Sequence, residues 1–200
     1  MRNAFALLLL AAAALALLSP AAAWRVKFNV ANLDGKKGEK GSFTWEVDDA
    51  WAPLGAARFR EMMEADFFKG VRFFRVISGF MAQFGIHGTP AKAAEWRQKR
   101  ITDDPVTQSN TRGMVSFATS GANSRTTQMF INFGNNANLD GMGFSPFARV
   151  VEGMDVVDRI FKIGERPNQG KIQSEGNKYL KSQFPQLTYI ESAEIVESEL

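Results

Sequence analysis

The sequence predicts an all-β domain, a closed eight-stranded antiparallel barrel whose open ends are capped by two α-helices. Two observations carry this prediction. Apolar and polar residues alternate with a period of two in about eight short segments, whereas only two segments have the 3.6-residue period of an amphipathic helix. Two helices are too few for repeated βαβ units, and closing a barrel removes the exposed edge strands of an antiparallel sheet.

The first two strands show the alternation most clearly, in residues 24–30 and 42–47. The charged, glycine-punctuated stretch Leu33–Gly41 between them predicts a hairpin loop. This loop contains GKKGEKGS, but it lacks the Walker spacing of a phosphate-binding loop. The remaining strands are predicted at Arg72–Ile77, Phe80–Phe84, Met114–Ala118, Met129–Asn132, Phe147–Val151 and Leu187–Val196.

One helix is predicted from Pro53 to about Lys69, because proline suits a first helical turn and apolar residues then recur at i, i+3 and i+7. A second is predicted from about Met154 to Ile163, with a glycine after it as a C-cap. The polar stretch Glu165–Pro185 is interpreted as a long excursion before the last strand. No internal repeat or linker is present, so we expect one domain.

The N-terminus has the layout of a secretory signal peptide: Arg2, an apolar run from Ala4 to Leu18, and the small residues 21–23. The apolar run has 15 residues, whereas a membrane span needs about 20. We therefore expect cleavage after residue 23, no stable membrane anchor, and a mature domain over residues 24–200. The expected location is the secretory pathway, meaning the ER lumen, the cell exterior or, in a bacterium, the periplasm.

The composition excludes several kinds of site. The chain has no cysteine, so a disulfide framework, a thiol nucleophile and a zinc–cysteine site are all impossible. His87 is the only histidine, which excludes a multi-histidine metal site, and its glycine-flanked position predicts an exposed loop side chain. We expect no metal and no cofactor. The 17 phenylalanines and 4 tryptophans can supply the core that a disulfide-free secreted domain needs.

The charge pattern argues against a nucleic-acid partner. The 24 Lys and Arg residues nearly balance the 21 Asp and Glu residues, and both signs alternate along the chain. A nucleic-acid surface needs its basic residues clustered on one face. The nearest candidate, Lys92–Arg112, also contains three acidic residues and is interpreted as a solvated loop.

Three segments are unusual together: FFRVISGFMAQFG (Phe73–Gly85), MVSFATSGANSRTTQMFINF (Met114–Phe133) and NLDGMGFSPFARVVEGMDVV (Asn138–Val157). The patterns R-x-I-x-G-F-x-x-Q and S-x-A-x-x-G-x-N…T-Q-x-F-I follow one another in this order. Here the sequence resembles the cyclophilin-type peptidyl-prolyl cis-trans isomerases, over most of Val26–Val196. The resemblance implies that family's fold, an eight-stranded barrel with two capping helices, and an enzyme acting on X-Pro bonds.

The resemblance places Arg75 at the family's catalytic position. An X-Pro bond isomerises over a barrier of ~18–20 kcal/mol, because amide resonance is lost at the twisted midpoint. No covalent bond forms, so the reaction needs neither a nucleophile nor a metal. A cationic donor near the imide nitrogen stabilises the twisted state selectively. Strand alternation alone would turn Arg75 toward water, so this expectation depends on the resemblance.

The resemblance also implies a substrate site. Residues that match the apolar pocket for the proline ring are Phe80, Met81, Phe130 and Leu139. Residues that match positions binding the substrate backbone and holding the arginine are Gln83 and Gln128. Residues that match the segment pairing with an extended substrate are Ala118, Thr119 and Ser120.

The sequence departs from the family pattern at several positions. Phe74 replaces a frequent histidine, Ser78 a frequent proline, and Asn138 a frequent tryptophan. Because Asn138 lacks an indole N–H and an apolar wall, we expect weak binding of cyclosporin-type inhibitors. One extra residue after L-D-G leaves Phe144 as the assigned pocket wall. Arg125 is predicted near the pocket entrance, where it would favour acidic residues upstream of the proline; the alternative is an ordinary loop charge.

The leading hypothesis is therefore a monomeric, cofactor-free isomerase of the secretory pathway that acts on proline-containing peptides and unfolded client proteins. One alternative is a non-catalytic module that binds proline peptides on the same barrel. A second is a secreted interaction protein that uses the Glu165–Pro185 excursion as its functional surface.

Overall fold

A computed structural model describes residues 23–196. The predicted signal peptide, apart from its last residue, lies outside these described residues. Within them, no helix is both long enough and apolar enough to cross a membrane. The strands are β1 (Trp24–Ala31), β2 (Lys40–Val47), β3 (Arg75–Ile77), β4 (Met81–Phe84), β5 (Met114–Phe117), β6 (Met129–Asn132), β7 (Pro146–Glu152) and β8 (Tyr189–Val196). The helices are α1 (Pro53–Glu64), α2 (Pro90–Arg97), α3 (Met154–Asp158) and α4 (Gln169–Gln183).

The eight strands form one antiparallel sheet in the order β3-β4-β6-β5-β7-β2-β1-β8. The prediction of a mainly β fold with eight antiparallel strands is thereby confirmed. Short 3₁₀ helices occupy Leu33–Gly35 and Ala137–Met142. The first lies in the predicted β1–β2 hairpin loop, and the second follows β6.

The predicted complete closure of the barrel is wrong. The terminal strands β3 and β8 do not pair. The segment before β3 meets the start of β8 through an isolated bridge from Arg72 to Tyr189 and three backbone hydrogen bonds: Gly70 N to Ile190 O (2.8 Å), Ile190 N to Val71 O (2.9 Å) and Phe73 N to Thr188 O (3.0 Å). Residues 71–74 are all buried and so do not alternate as a sheet edge would. The sheet is therefore a curled half-barrel whose seam is bridged over a few residues only.

Aromatic side chains fill the inside of this curled sheet. Phe28 packs on Trp45, with ring centroids 4.5 Å apart, and Phe59 of α1 lies 5.5 Å from Trp45 and 5.4 Å from Phe147. These four side chains are fully buried. Because aromatic side chains bury large apolar areas, this cluster joins α1 to strands β1, β2 and β7 without any disulfide.

The helices differ from the predicted ones in length. Helix α1 ends at Glu64 rather than near Lys69, because Asp66 adopts a left-handed conformation with φ of 48°. Helix α3 ends at Asp158 rather than at Ile163. The chain turns away there, and the Phe161 N–H donates to Thr188 Oγ1 (3.0 Å) instead of continuing the helix.

Two segments predicted as loops are helical. Helix α2 begins with Pro90 in the first turn and buries Ala93 and Trp96, inside the stretch interpreted as a solvated loop. Helix α4 occupies most of the Glu165–Pro185 excursion and buries Ile172 and Leu180. Both helices carry only a narrow apolar stripe, which the surrounding charges conceal in the sequence.

The prediction of an exposed His87 is also wrong. The side chain is buried, its ring lies 5.2 Å from the Phe67 ring, and Nδ1 accepts the Thr89 N–H at 2.9 Å. Burial lowers the pKa of His87, and the nearby Lys92 lowers it further. His87 is thus a buried residue that accepts a hydrogen bond within the turn before α2.

Candidate active site

A cleft of about 480 Å³ lies beside β3, β4 and β6. Apart from Arg125, it receives every residue predicted for the site: Arg75, Phe80, Met81, Gln83, Ala118, Thr119, Ser120, Gln128, Phe130, Leu139 and Phe144. Further lining residues, which the sequence did not reveal, are Arg97, Arg100, Ser124, Thr126, Gln169 and Gln173.

The register of the sheet explains why strand residues gather here. Arg75 on β3 lies opposite Gln83 on β4, and Gln83 lies opposite Phe130 on β6. Side chains alternate between the two faces of a strand. Met81 and Gln83 therefore face the cleft, and their neighbours on β4 pack into the main core. A row across three strands thus carries a cation, an amide and an aromatic ring.

The apolar part of the cleft is a small cluster separate from the main core. Met81, Phe130 and Leu139 form its buried floor, and Phe80 and Phe144 are partly buried against it. The rings of Phe130 and Phe144 meet nearly edge to face, 5.6 Å apart at 74°. This arrangement forms an apolar hollow that can hold a small saturated ring.

A polar network holds one wall of this hollow. Asn110 is fully buried, and its Nδ2 donates to Asp140 Oδ1 and to the Phe144 carbonyl, both at 2.8 Å. Asp140 also accepts the Ser109 hydroxyl at 2.5 Å. Burial raises the pKa of Asp140, but the hydrogen bonds from Ser109 and Asn110 outweigh it and the pKa is lowered overall. Hydrogen bonds therefore position Phe144 against the apolar hollow.

Hydrogen bonds on two sides hold the Arg75 guanidinium at the rim of the hollow. Nη1 donates to Gln83 Oε1 at 3.3 Å, and Gln83 Nε2 donates to Gln128 Oε1 at 2.9 Å. Nε and Nη2 donate to one oxygen of Glu165, at 2.7 and 2.5 Å. The guanidinium carbon lies 5.9 Å from the centre of the Phe80 ring. The charged group therefore lies next to the apolar hollow rather than turning into water.

The segment after β5 forms the opposite side of the cleft. The Ala118 N–H donates to the Gln128 carbonyl at 2.9 Å, and the Ser120 N–H donates to Ser124 Oγ at 2.8 Å. Two of the three N–H groups in this segment are thus used within the protein. Pairing with an extended peptide would rely on the Thr119 N–H and on the carbonyl groups.

The structure corrects the placement of Arg125. Its side chain is buried away from the cleft and forms ion pairs with Asp103 (3.2 Å) and Asp104 (3.1 Å). Asp104 also accepts the N–H groups of Leu54 and Gly55, at the start of α1. Arg125 therefore stabilises the beginning of a helix and does not contact a substrate in the cleft.

Two other arginines lie where Arg125 was expected. Arg97 and Arg100, at the end of α2 and just after it, are exposed and line the cleft. Neither forms an ion pair within residues 23–196. With Arg75 they give the cleft three cations, of which Arg75 is paired with Glu165 at the rim, so among the described residues Arg97 and Arg100 carry its unpaired positive charge.

The family model described as cyclophilin type peptidyl-prolyl cis-trans isomerase/CLD matches residues 32–177. This chain belongs to the cyclophilin family. The resemblance noted in the sequence is confirmed, and the protein is a peptidyl-prolyl cis-trans isomerase.

Bacterial relatives support this assignment. Peptidyl-prolyl cis-trans isomerase A of Dickeya dadantii is 34% identical over 149 residues, which cover 69% of this chain and 75% of the relative. Peptidyl-prolyl cis-trans isomerase B of Escherichia coli is 35% identical over 130 residues, covering 60% and 78%. The crystal structure of a cyclophilin type peptidyl-prolyl cis-trans isomerase from Cryptosporidium parvum superposes with a TM-score of 0.61 at 16% identity. It covers 89% of this chain and 100% of the other, which supports the cyclophilin fold.

The structural role of Arg125 is testable with Arg125→Leu. We expect this variant to lose about 3 kcal/mol of unfolding free energy, because removing one partner of a buried ion pair leaves the other charge uncompensated. Denaturant unfolding measures the loss, and isomerase kinetics at a temperature where the variant is folded should give a KM close to that of the wild type. A large rise in KM with unchanged stability would instead place Arg125 in the substrate site.

Proposed function

We propose that this cyclophilin accelerates the exchange of X-Pro bonds in client proteins of the secretory pathway, with Arg75 as its catalytic residue. One observation carries the proposal: a guanidinium, held by hydrogen bonds on two sides, lies at the rim of a buried apolar hollow. The hollow holds the proline ring, and the guanidinium reaches the imide bond that precedes the ring.

The catalysis follows from the electronic structure of the twisted amide. In the planar forms the nitrogen lone pair is delocalised into the carbonyl. At the perpendicular geometry the nitrogen becomes pyramidal and its lone pair can accept a hydrogen bond. A donor aimed at that nitrogen binds the transition state more tightly than either ground state, which is the requirement for catalysis. An acceleration of about 10⁵ requires about 7 kcal/mol of such differential binding.

The surroundings of Arg75 favour this role because they are organised before substrate binds. Gln83 holds one terminal nitrogen, and Gln128 holds Gln83 in turn. Oriented donors at the edge of an apolar site lose little energy to reorganisation during the reaction, and the low local polarity strengthens their effect. Phe130 and Leu139 restrain the ring while the chain on the other side of the bond rotates.

The secretory location rests on residues 1–23 alone, whose charged, apolar and small-residue regions are arranged like a signal peptide. Isomerisation of X-Pro bonds takes tens to hundreds of seconds without a catalyst and is slow enough to limit folding. An exported isomerase would therefore act on proteins that fold after export.

Arg75→Ala should lower kcat/KM for a short Xaa-Pro peptide by roughly 10²–10³-fold. This is the loss expected when one preorganised hydrogen-bond donor to the imide nitrogen lone pair is removed. Exchange spectroscopy by NMR measures the rate, and line-shape titration measures binding, which should persist because the apolar hollow is intact. Arg149→Ala, which removes an exposed arginine outside the cleft, is the matched control. Wild-type exchange no faster than in buffer would favour the non-catalytic binding module.

The cations of the cleft predict a preference for acidic residues next to the proline. Kinetics with paired peptides carrying Glu or Lys before the Xaa-Pro unit should favour Glu by several-fold at low salt, and the preference should shrink as salt screens it. The double variant Arg97→Glu/Arg100→Glu should reverse the order of the two peptides. Equal rates for both peptides in the wild type would contradict this account.

Inhibitor binding is expected to be weak because Asn138 supplies no aromatic wall. Asn138 is exposed on the 3₁₀ helix next to Leu139, so a larger side chain has room there. Asn138→Trp should increase cyclosporin affinity about tenfold, as expected for an added aromatic contact and N–H donor, while kcat/KM changes little. Isothermal titration calorimetry gives the comparison, and tight inhibitor binding by the wild type would show that the wall is not needed.

A further inference from the structure

The segment Glu165–Gln183 reaches the active cleft directly, although nothing in the sequence connected it with catalysis. Gln169 and Gln173, one turn apart on α4, line the same cleft as Arg75. Glu165 precedes this helix and contacts the Arg75 guanidinium through its Oε1. The first part of the excursion is therefore part of the site.

Backbone contacts determine where Glu165 lies. Its neighbour Gly164 forms an antiparallel bridge with Val76, the residue after Arg75, through two hydrogen bonds of 2.8 and 3.1 Å. Residues 75 and 165 are therefore placed side by side by main-chain pairing. The backbone therefore brings the two side chains together, although both are long and flexible.

The helix that follows is anchored as well. Asn168 caps α4 by accepting the Lys171 N–H at 3.0 Å, and Ile172 is fully buried. Within α4, Gly176 approaches Gly88 closely, where a side chain would collide with the Gly88 carbonyl. Both ends of the Glu165–Gln173 stretch are thus attached to the body of the protein.

We propose that Glu165 is a positioning residue that holds the Arg75 guanidinium in its productive orientation. This inference rests on the proposed catalytic role of Arg75. An arginine side chain has several rotatable bonds, and orienting it costs conformational entropy. Glu165 binds the Nε and Nη2 side while Gln83 binds Nη1, so the guanidinium is oriented from two directions before substrate arrives.

The Glu165 side chain is 64% exposed, which makes the proposal testable without loss of folding. An ion pair this accessible to solvent contributes little to global stability. Changes at Glu165 should therefore alter catalysis while the unfolding midpoint stays unchanged. A loss of catalysis at an unchanged unfolding midpoint is a result that a purely structural ion pair would not produce.

The test compares Glu165→Ala and Glu165→Gln with Glu175→Gln, an exposed glutamate on α4 without an ion pair among residues 23–196. Glu165→Ala should lower kcat about tenfold with KM and unfolding midpoint unchanged. Glu165→Gln should recover part of the loss, because its amide oxygen still accepts hydrogen bonds. The ¹⁵Nε–H resonance of Arg75 should move and broaden in the alanine variant. Wild-type or higher kcat in Glu165→Ala would overturn the proposal.

A double-mutant cycle separates this inference from the proposed function. In an Arg75→Ala background, Glu165→Ala should have no further effect on exchange. If Arg75→Ala retains wild-type kcat, the catalytic assignment of Arg75 itself fails. Two results would overturn only the positioning role of Glu165. In the first, Arg75→Ala is inactive but Glu165→Ala is fully active. In the second, Glu165→Ala lowers kcat by the same factor whether or not Arg75 is present.

Discussion

The structure depends on one constraint: a permanently charged guanidinium must stay next to an apolar hollow without being drawn into bulk water. Sheet register meets part of this requirement, because it sets Arg75 opposite Gln83 and Gln83 opposite Phe130. Hydrogen bonds meet the rest, since they satisfy the guanidinium from the side of the protein. A one-residue shift of β3 against β4 would turn Arg75 to the other face of the sheet.

The sheet can carry this site because both of its faces are buried near β4 and β6. One face packs into the aromatic core through Phe84 and Ile131, and the other carries the separate cluster of Met81, Phe130 and Leu139. All four residues of each strand are consequently buried. Strands β4 and β6 thus join the main core directly to the wall of the cleft.

The same double burial shows how far the sequence could predict the site. Period-two alternation located the strands well, because β1 and β2 have one face toward the core. It could not orient Arg75, since on β3 the outward face is the face of the cleft. On β3 the orientation of Arg75 was predicted from the family motif around Phe80 and Met81, not from alternation. The structure brings these residues together.

The remaining errors have physical causes of their own. Helices α2 and α4 bury few side chains each, so their polar sequences give a weak periodic signal. Arg125 was placed at the entrance because its partners Asp103 and Asp104 lie some twenty residues upstream, a pairing that only the tertiary structure reveals. Glu165 could have been found only from the bridge between Gly164 and Val76.

The central claim is that the positive charge of Arg75, at the place where the structure holds it, lowers the barrier for the twisted imide. The most direct measurement replaces Arg75 with citrulline by semisynthesis, which keeps the planar shape but replaces the charged guanidinium with a neutral urea. We predict that the exchange rate of enzyme-bound Xaa-Pro peptide, measured by NMR at saturation, falls at least about a hundredfold with affinity unchanged. An unchanged bound-state exchange rate would contradict the account.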